Sequence, residues 1–252
     1  MRRTIGSVWM AAARQIVWKL LLIVVIMAAL ELGLLWYLTR QQAVSFSTGY
    51  YVGSGFGAWL DKAGGYPVFS AAFLLLTAAL MLQGCDTQGG KLRYTLQRMP
   101  VSEASSTAHW ALVHISAYIV LWMAQLAVAV IGWNIYNHSL HHAMAEASAL
   151  ELFVEFHLDG FLHSLLPMGC IACWVRQIAW ILCMGTGTAW FGVQQRRGKI
   201  AIGPAIAAIL GIVTFRNHVK TNEEMAELSS LVFIAMLIYN AVQIWRRNYE
   251  ED

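Results

Sequence analysis

His138, His141, His142 and Glu146 fall at i, i+3, i+4 and i+8, so a helix through them would gather them near one face. Imidazole and carboxylate are zinc ligands, which makes this group the metal candidate of the chain. A solvated polar loop is the plainer expectation, since ligand spacing alone is a weak signal. His109 and His114 sit at the start of an apolar segment, where an imidazole could serve as an axial haem ligand. That chemistry needs a second ligand at matching depth on a facing helix, and interfacial histidine is the simpler expectation. Cys170 and Cys173 have the C-x-x-C spacing of a redox or metal motif. They lack a second pair and lie in an apolar run with Cys183, so the sequence predicts buried small hydrophobes. Glu31 is the one carboxylate well inside a clear apolar segment. The cost of such a group places it toward a bundle interior, paired with Arg176 or with a polar group of a neighbouring helix. Gln125, Asn240 and Gln243 fit helix–helix hydrogen bonding.

What must position these residues follows from composition. The chain has 252 residues, 58% hydrophobic and 12% charged, with 11 Trp, and a mean hydropathy of +0.55. A soluble domain carries about 25% charged residues, so roughly half the expected charge is missing and lipid is the solvent for most of the surface. The net charge of +3 comes from basic residues dispersed at segment ends, which excludes a nucleic-acid patch.

The expected fold is all-α, one polytopic membrane domain over 1–252. About six spans are predicted near 17–38, 68–82, 109–135, 170–193, 200–215 and 228–245, each serving a hydrocarbon core that takes about 20 apolar residues. Five or seven spans also fit, because the region from Glu151 to Val193 is ambiguous, and residues 151–175 within it suit an external, re-entrant or spanning element. The first apolar run exceeds the 7–15-residue core of a secretion signal and is read as an uncleaved span. Residues 4–16 before it suit an interfacial helix, or a simple extension of the span. Residues 137–167 form the longest predicted external segment.

Charge orients the bundle. With the N-terminus inside, twelve of the seventeen Lys and Arg residues fall on cytoplasmic segments and four outside, with Arg176 in or beside a span. Positive charge is retained inside, so both termini are expected in the cytoplasm.

The polar segment 84–107 then becomes a cytoplasmic loop. Leu92, Leu96 and Met99 fall at i, i+4 and i+7 and make one apolar strip. Lys91, Arg93, Tyr94 and Arg98 surround it, and Pro100 stops the turn. A short ridge with a cationic rim suits a partner's groove, whereas the plain alternative is an ordinary positive-inside loop. Ser102 and Ser105 offer N-caps for the next helix.

This layout, with the residues GGKLRYTLQRMPVSEASSTAHWAL from Gly89 to Leu112, resembles the permease subunit of a type-2 ABC exporter. The resemblance implies that the loop is a coupling helix docked on a separate nucleotide-binding ATPase subunit. It further implies that two copies, or one copy with a related permease, enclose the path. Gly89-Gly90-Lys91 and Gly198-Lys199 lack the other elements of a phosphate loop, so ATP and Mg belong to the partner, and no cofactor and no catalytic residues are expected in this chain. The chain is then a transport subunit rather than an enzyme, multi-pass in a bacterial inner or plasma membrane and surrounded by lipid. Family habit suggests a peptide or antimicrobial compound as the exported substrate. A histidine-ligated metal or haem enzyme, and a non-transporting scaffold or immunity protein, are the competing classes.

Overall fold

The computed structural model describes residues 2–46, 55–83, 102–142, 149–196, 198–199, 201–215 and 222–246, and among these there is no strand. Nine helices carry the described chain: α1 Arg2–Phe46, α2 Phe56–Lys62, α3 Gly65–Met81, α4 Glu103–His142, α5 Ala149–Leu158, α6 Gly160–Leu165, α7 Ile171–Arg196, α8 Gly203–Phe215 and α9 Asn222–Arg246.

Three of these are long and apolar enough to cross a bilayer: residues 12–41 of α1, 103–138 of α4 and 224–246 of α9. The pair α2–α3, bent by 56°, makes a fourth if counted as one broken span. The bend lies at Gly64, whose φ of 76° is left-handed and which caps α3, with Pro67 in that helix's first turn. Proline is tolerated there because the first-turn amides have no partner within the helix. By contrast α8 has 13 residues, or about 20 Å at 1.5 Å per residue, which is short of a hydrocarbon core of about 30 Å.

Residues 4–16 and 17–38 lie on one unbroken helix, α1. No glycine or proline stands near Ile16 and Val17 to end a turn. Helix α4 likewise runs past the expected end at Ile135 to His142.

The outer faces of the bundle are apolar. Leu22 (61% exposed), Val25 (62%) and Leu231 (63%) face outward, which lipid accepts and water would not. Helix α7 is central, packed on α3, α4, α8 and α9. Its Trp180 stacks on Phe73 of α3 at 4.4 Å between ring centroids and meets Phe215 of α8 at 5.7 Å. Aromatic pairs of this kind add about 0.5–1.5 kcal/mol each beyond area burial. Glycines allow the approach: an added Cβ on Gly185 of α7 would lie 2.9 Å from the Ile115 backbone nitrogen of α4, and on Gly211 of α8 it would enter the Trp180 ring. On the lipid side of α1, Trp18 and Trp36 are exposed, with the Arg40 guanidinium 4.2 Å above the Trp36 ring.

The helices have two shared ends. Gln83, Ala12, His114 and Thr188 meet at one. Tyr66, Arg176, Thr214 and Ile212 meet toward the other, with α5 and α6.

Candidate functional site

The strip from Lys91 to Pro100 (Lys91, Leu92, Arg93, Tyr94, Leu96, Arg98, Met99, Pro100) lies outside the described residues. Both roots of that loop are described. On the outgoing side Ser102 caps α4, its Oγ accepting from the Ser105 amide at 3.2 Å. On the incoming side Gln83 lies just past the C-cap of α3, buried to 4% exposure. Its Nε2 donates to the Ala12 carbonyl of α1 at 3.1 Å. Its Oε1 lies 3.1 Å from His114 Nε2 of α4, and His114 Nδ1 lies 2.9 Å from Thr188 Oγ1 of α7. With the Gln83 amide nitrogen turned to Ala12, its oxygen accepts from His114 Nε2–H. One buried glutamine therefore ties the root of the polar loop to three helices.

This knot is closed. The cavity beside it measures about 10 Å³, near the minimum for one water, so it is no substrate chamber. It also corrects the expectation for His114, which is 1% exposed rather than interfacial. Both of its ring nitrogens are engaged by protein groups, so neither is turned to an iron. His109 Nδ1 sits 2.6 Å from the Ser105 carbonyl one turn back.

Among the intramembrane candidates, Glu31 is 1% exposed and Gln125 0%. Gln125 Nε2 donates to Glu31 Oε2 at 2.7 Å, joining α1 to α4. The remaining oxygens of both side chains, Glu31 Oε1 and Gln125 Oε1, find no partner. Arg176 does not join them: its Nη1 donates to the Thr214 carbonyl of α8 at 3.1 Å. Of the two expected partners for Glu31, the neighbouring helix's polar group is the one present. Asn240 of α9 is buried, with its Nδ2 3.2 Å from where a Gly187 Cβ would stand.

The opposite end is a capped lid of short helices. The Asp159 carboxylate accepts from the Phe161 and Leu162 amides at 3.0 and 2.9 Å and starts α6. Glu155 of α5 accepts from the Gly57 amide at 3.0 Å and pins α2. Burial pushes the Glu155 carboxyl above the usual carboxylate range, and the Asp159 and Glu151 charges push the same way, against the Gly57 and Phe56 amides. The buried His163 is held below the ordinary histidine value, chiefly by desolvation, with the nearby His157 and Arg176 acting in the same direction. Ser164 of α6 donates to the Phe215 carbonyl, and Trp122 of α4 donates to the Leu165 carbonyl at 3.0 Å. His138 is exposed on α4, while Glu146 and the side chains of His141 and His142 lie outside the described residues. Among the described residues no group of three or more His, Cys, Asp or Glu converges to hold a metal ion.

The cysteines correct the sequence reading. Cys170 and Cys173 form a disulfide at the start of α7, with Cα atoms 5.4 Å apart, and only Cys183 among the described residues is a buried free thiol. Sequence reasoning also missed the knot at Gln83 and Thr188, because its members lie 31 and 74 residues from His114. A cleft of about 670 Å³ between α1 and α3 is walled by Trp18, Leu22, Ile26, Leu30 and Leu75, with Lys19 at its rim. Its lining suits an acyl chain and offers little to a polar solute. Comparison of the chain with protein-family models, with curated proteins and with solved structures finds no match.

Proposed function

We propose that this chain is the membrane-spanning permease subunit of an ATP-binding-cassette exporter, with six crossings, both termini in the cytoplasm and the polar loop gripped by a separate ATPase. The observation that carries the proposal is how that loop is rooted. The cationic insert between α3 and α4 follows Gln83, whose amide is bonded to α1 and α4 and through His114 to α7. It ends at Ser102, the cap of α4. A push on the insert would reach groups at both of its roots that are bonded into the bundle.

Supporting it, the basic residues gather on the segments at the knot end of the helices. ATP binding to a partner moves such a bundle only if the partner grips the two states differently. The insert is the surface on which that difference would act. A dimer of this chain, or a pair with a related permease, would frame the route for a peptide or antimicrobial compound.

The test is to ask whether a neighbouring reading frame encodes a P-loop ATPase and to co-express that protein with this chain, followed by affinity capture and ATPase assay in lipid nanodiscs. Arg93→Glu with Arg98→Glu should abolish capture and stimulation while membrane insertion stays intact. Unchanged capture and transport by that variant, or protease cleavage of the insert from the outer face, overturns the proposal.

A further inference from the structure

The Cys170–Cys173 disulfide is asymmetric. Cys173 is 2% exposed, while Cys170 is only partly covered and stands at the mouth of α7. Gly169 before it has a φ of 81°, and nothing lies within 4 Å of where its Cβ would be, so the turn that leads into Cys170 is open on that side. Ile171, between the two cysteines, is 82% exposed and offers an apolar contact beside the bond. The Cys173 amide points at the Cys170 sulfur at 3.2 Å, a donor that would hold a thiolate there once the bond opened.

We propose that Cys170–Cys173 is a thiol–disulfide exchange site whose substrate is a dithiol, attacked at and released from Cys170. The incoming thiolate forms a bond to Cys170 Sγ as the Cys170–Cys173 bond breaks. Cys173 leaves as thiolate and takes up the proton that the incoming thiol gave up. The second thiol of the substrate then attacks its own half of the mixed disulfide, closes a substrate disulfide and releases Cys170, which takes its proton. The substrate loses two electrons and two protons, and the cysteine pair gains them. A small-molecule disulfide reverses the exchange and restores the bridge. The site is independent of the transport reading.

The test uses the full chain in detergent, titrated with dithiothreitol, alkylated with N-ethylmaleimide and read by peptide mass spectrometry. Both cysteines should be protected without reductant and labelled with it while the protein stays folded, Cys170 ahead of Cys173. Labelling without reductant, or only after denaturation, overturns the proposal. In chains lacking Cys85 and Cys183, Cys173→Ala should react with 5,5′-dithiobis(2-nitrobenzoic acid) about tenfold faster than Cys170→Ala, the scale set by thiolate exposure. Equal or reversed rates overturn it as well. The wild-type labelling order requires no substitution and decides the matter if a variant does not fold.

Discussion

Replacing Gln125 with leucine strips Glu31 of the donor that the structure gives it. The contact is 2.7 Å long between side chains that are 0% and 1% exposed, so water cannot substitute for it. Glu31 Oε1 is already unpartnered, and Gln125→Leu would leave the whole carboxyl without a protein partner. A typical hydrogen bond contributes about 0.5–1.5 kcal/mol, and orphaning a buried polar group costs about 1–3 kcal/mol. Interhelical hydrogen bonds inside bilayers average only about 0.6 kcal/mol, with a ceiling near 1.7, because the dispersed helices find other partners. Gln125→Leu should therefore destabilise by about 2 kcal/mol, and Glu31→Leu by about 1–2 kcal/mol, since it leaves the glutamine amide stranded. The double variant places two apolar side chains of similar bulk together and should lie within about 1 kcal/mol of wild type. The assay is unfolding in mixed micelles under sodium dodecyl sulfate titration, followed by the fluorescence of the 11 tryptophans. Additive losses, within about 0.5 kcal/mol, would show that the two residues do not act as a pair and would refute the reasoning.

Gly185→Ala should lower the unfolding free energy by about 1–3 kcal/mol, because its Cβ would sit 2.9 Å from the Ile115 backbone nitrogen. Gly33→Ala, with nothing within 4 Å of the added atom, should instead gain about 0.5–1 kcal/mol, and equal effects at the two sites would contradict the packing of α4 on α7. Glu155→Gln keeps an acceptor for the Gly57 amide but no longer titrates. Because the folded carboxyl is raised from 4.5, its contribution is full below pH 4.5 and lost as pH climbs through the raised value. The variant should thus melt higher than wild type near pH 7, the gap closing toward pH 4.5. His163 has the opposite sign: lowered from 6.5, it supports the fold above pH 6.5 and withdraws that support on acidification, so His163→Phe should flatten the acid limb of the melting profile. Asp159→Ala removes the acceptor of two α6 amides, a loss of about 1 kcal/mol. It should speed hydrogen exchange across 160–165, with Asp159→Asn largely restoring protection.

The helical class and the apolar faces were legible because lipid-facing helices leave a mark on composition that no neighbour can override. Element ends were less so. The expected end of α4 at Ile135 followed the loss of apolar residues, yet Tyr136, Asn137 and His138 carry no glycine or proline, and polarity alone does not break a helix. Helix α2 had a faint signal in Phe56, Trp59 and Leu60 at i, i+3 and i+4 between two glycines. For Glu31, cost alone predicted an interior position, and geometry was needed to choose Gln125 over Arg176. Nothing local could reveal His114, since its burial is made by Gln83 and Thr188 from other helices. The Cys170–Cys173 spacing was visible, but whether the two sulfurs face each other depends on the turn that opens α7.

Trp18 and Trp36 have a consequence for how α1 can move. Eighteen residues separate them, roughly 27 Å along the axis at 1.5 Å per residue, close to the hydrocarbon thickness, so each indole can rest at one water boundary. A slide of one turn, about 5.4 Å, would sink one ring into the acyl chains while lifting the other into water. Piston strokes are thereby penalised in both directions, whereas leaning about the mid-plane keeps both rings afloat. Whatever rearrangement this bundle undergoes, its longest helix is free to rock but not to plunge.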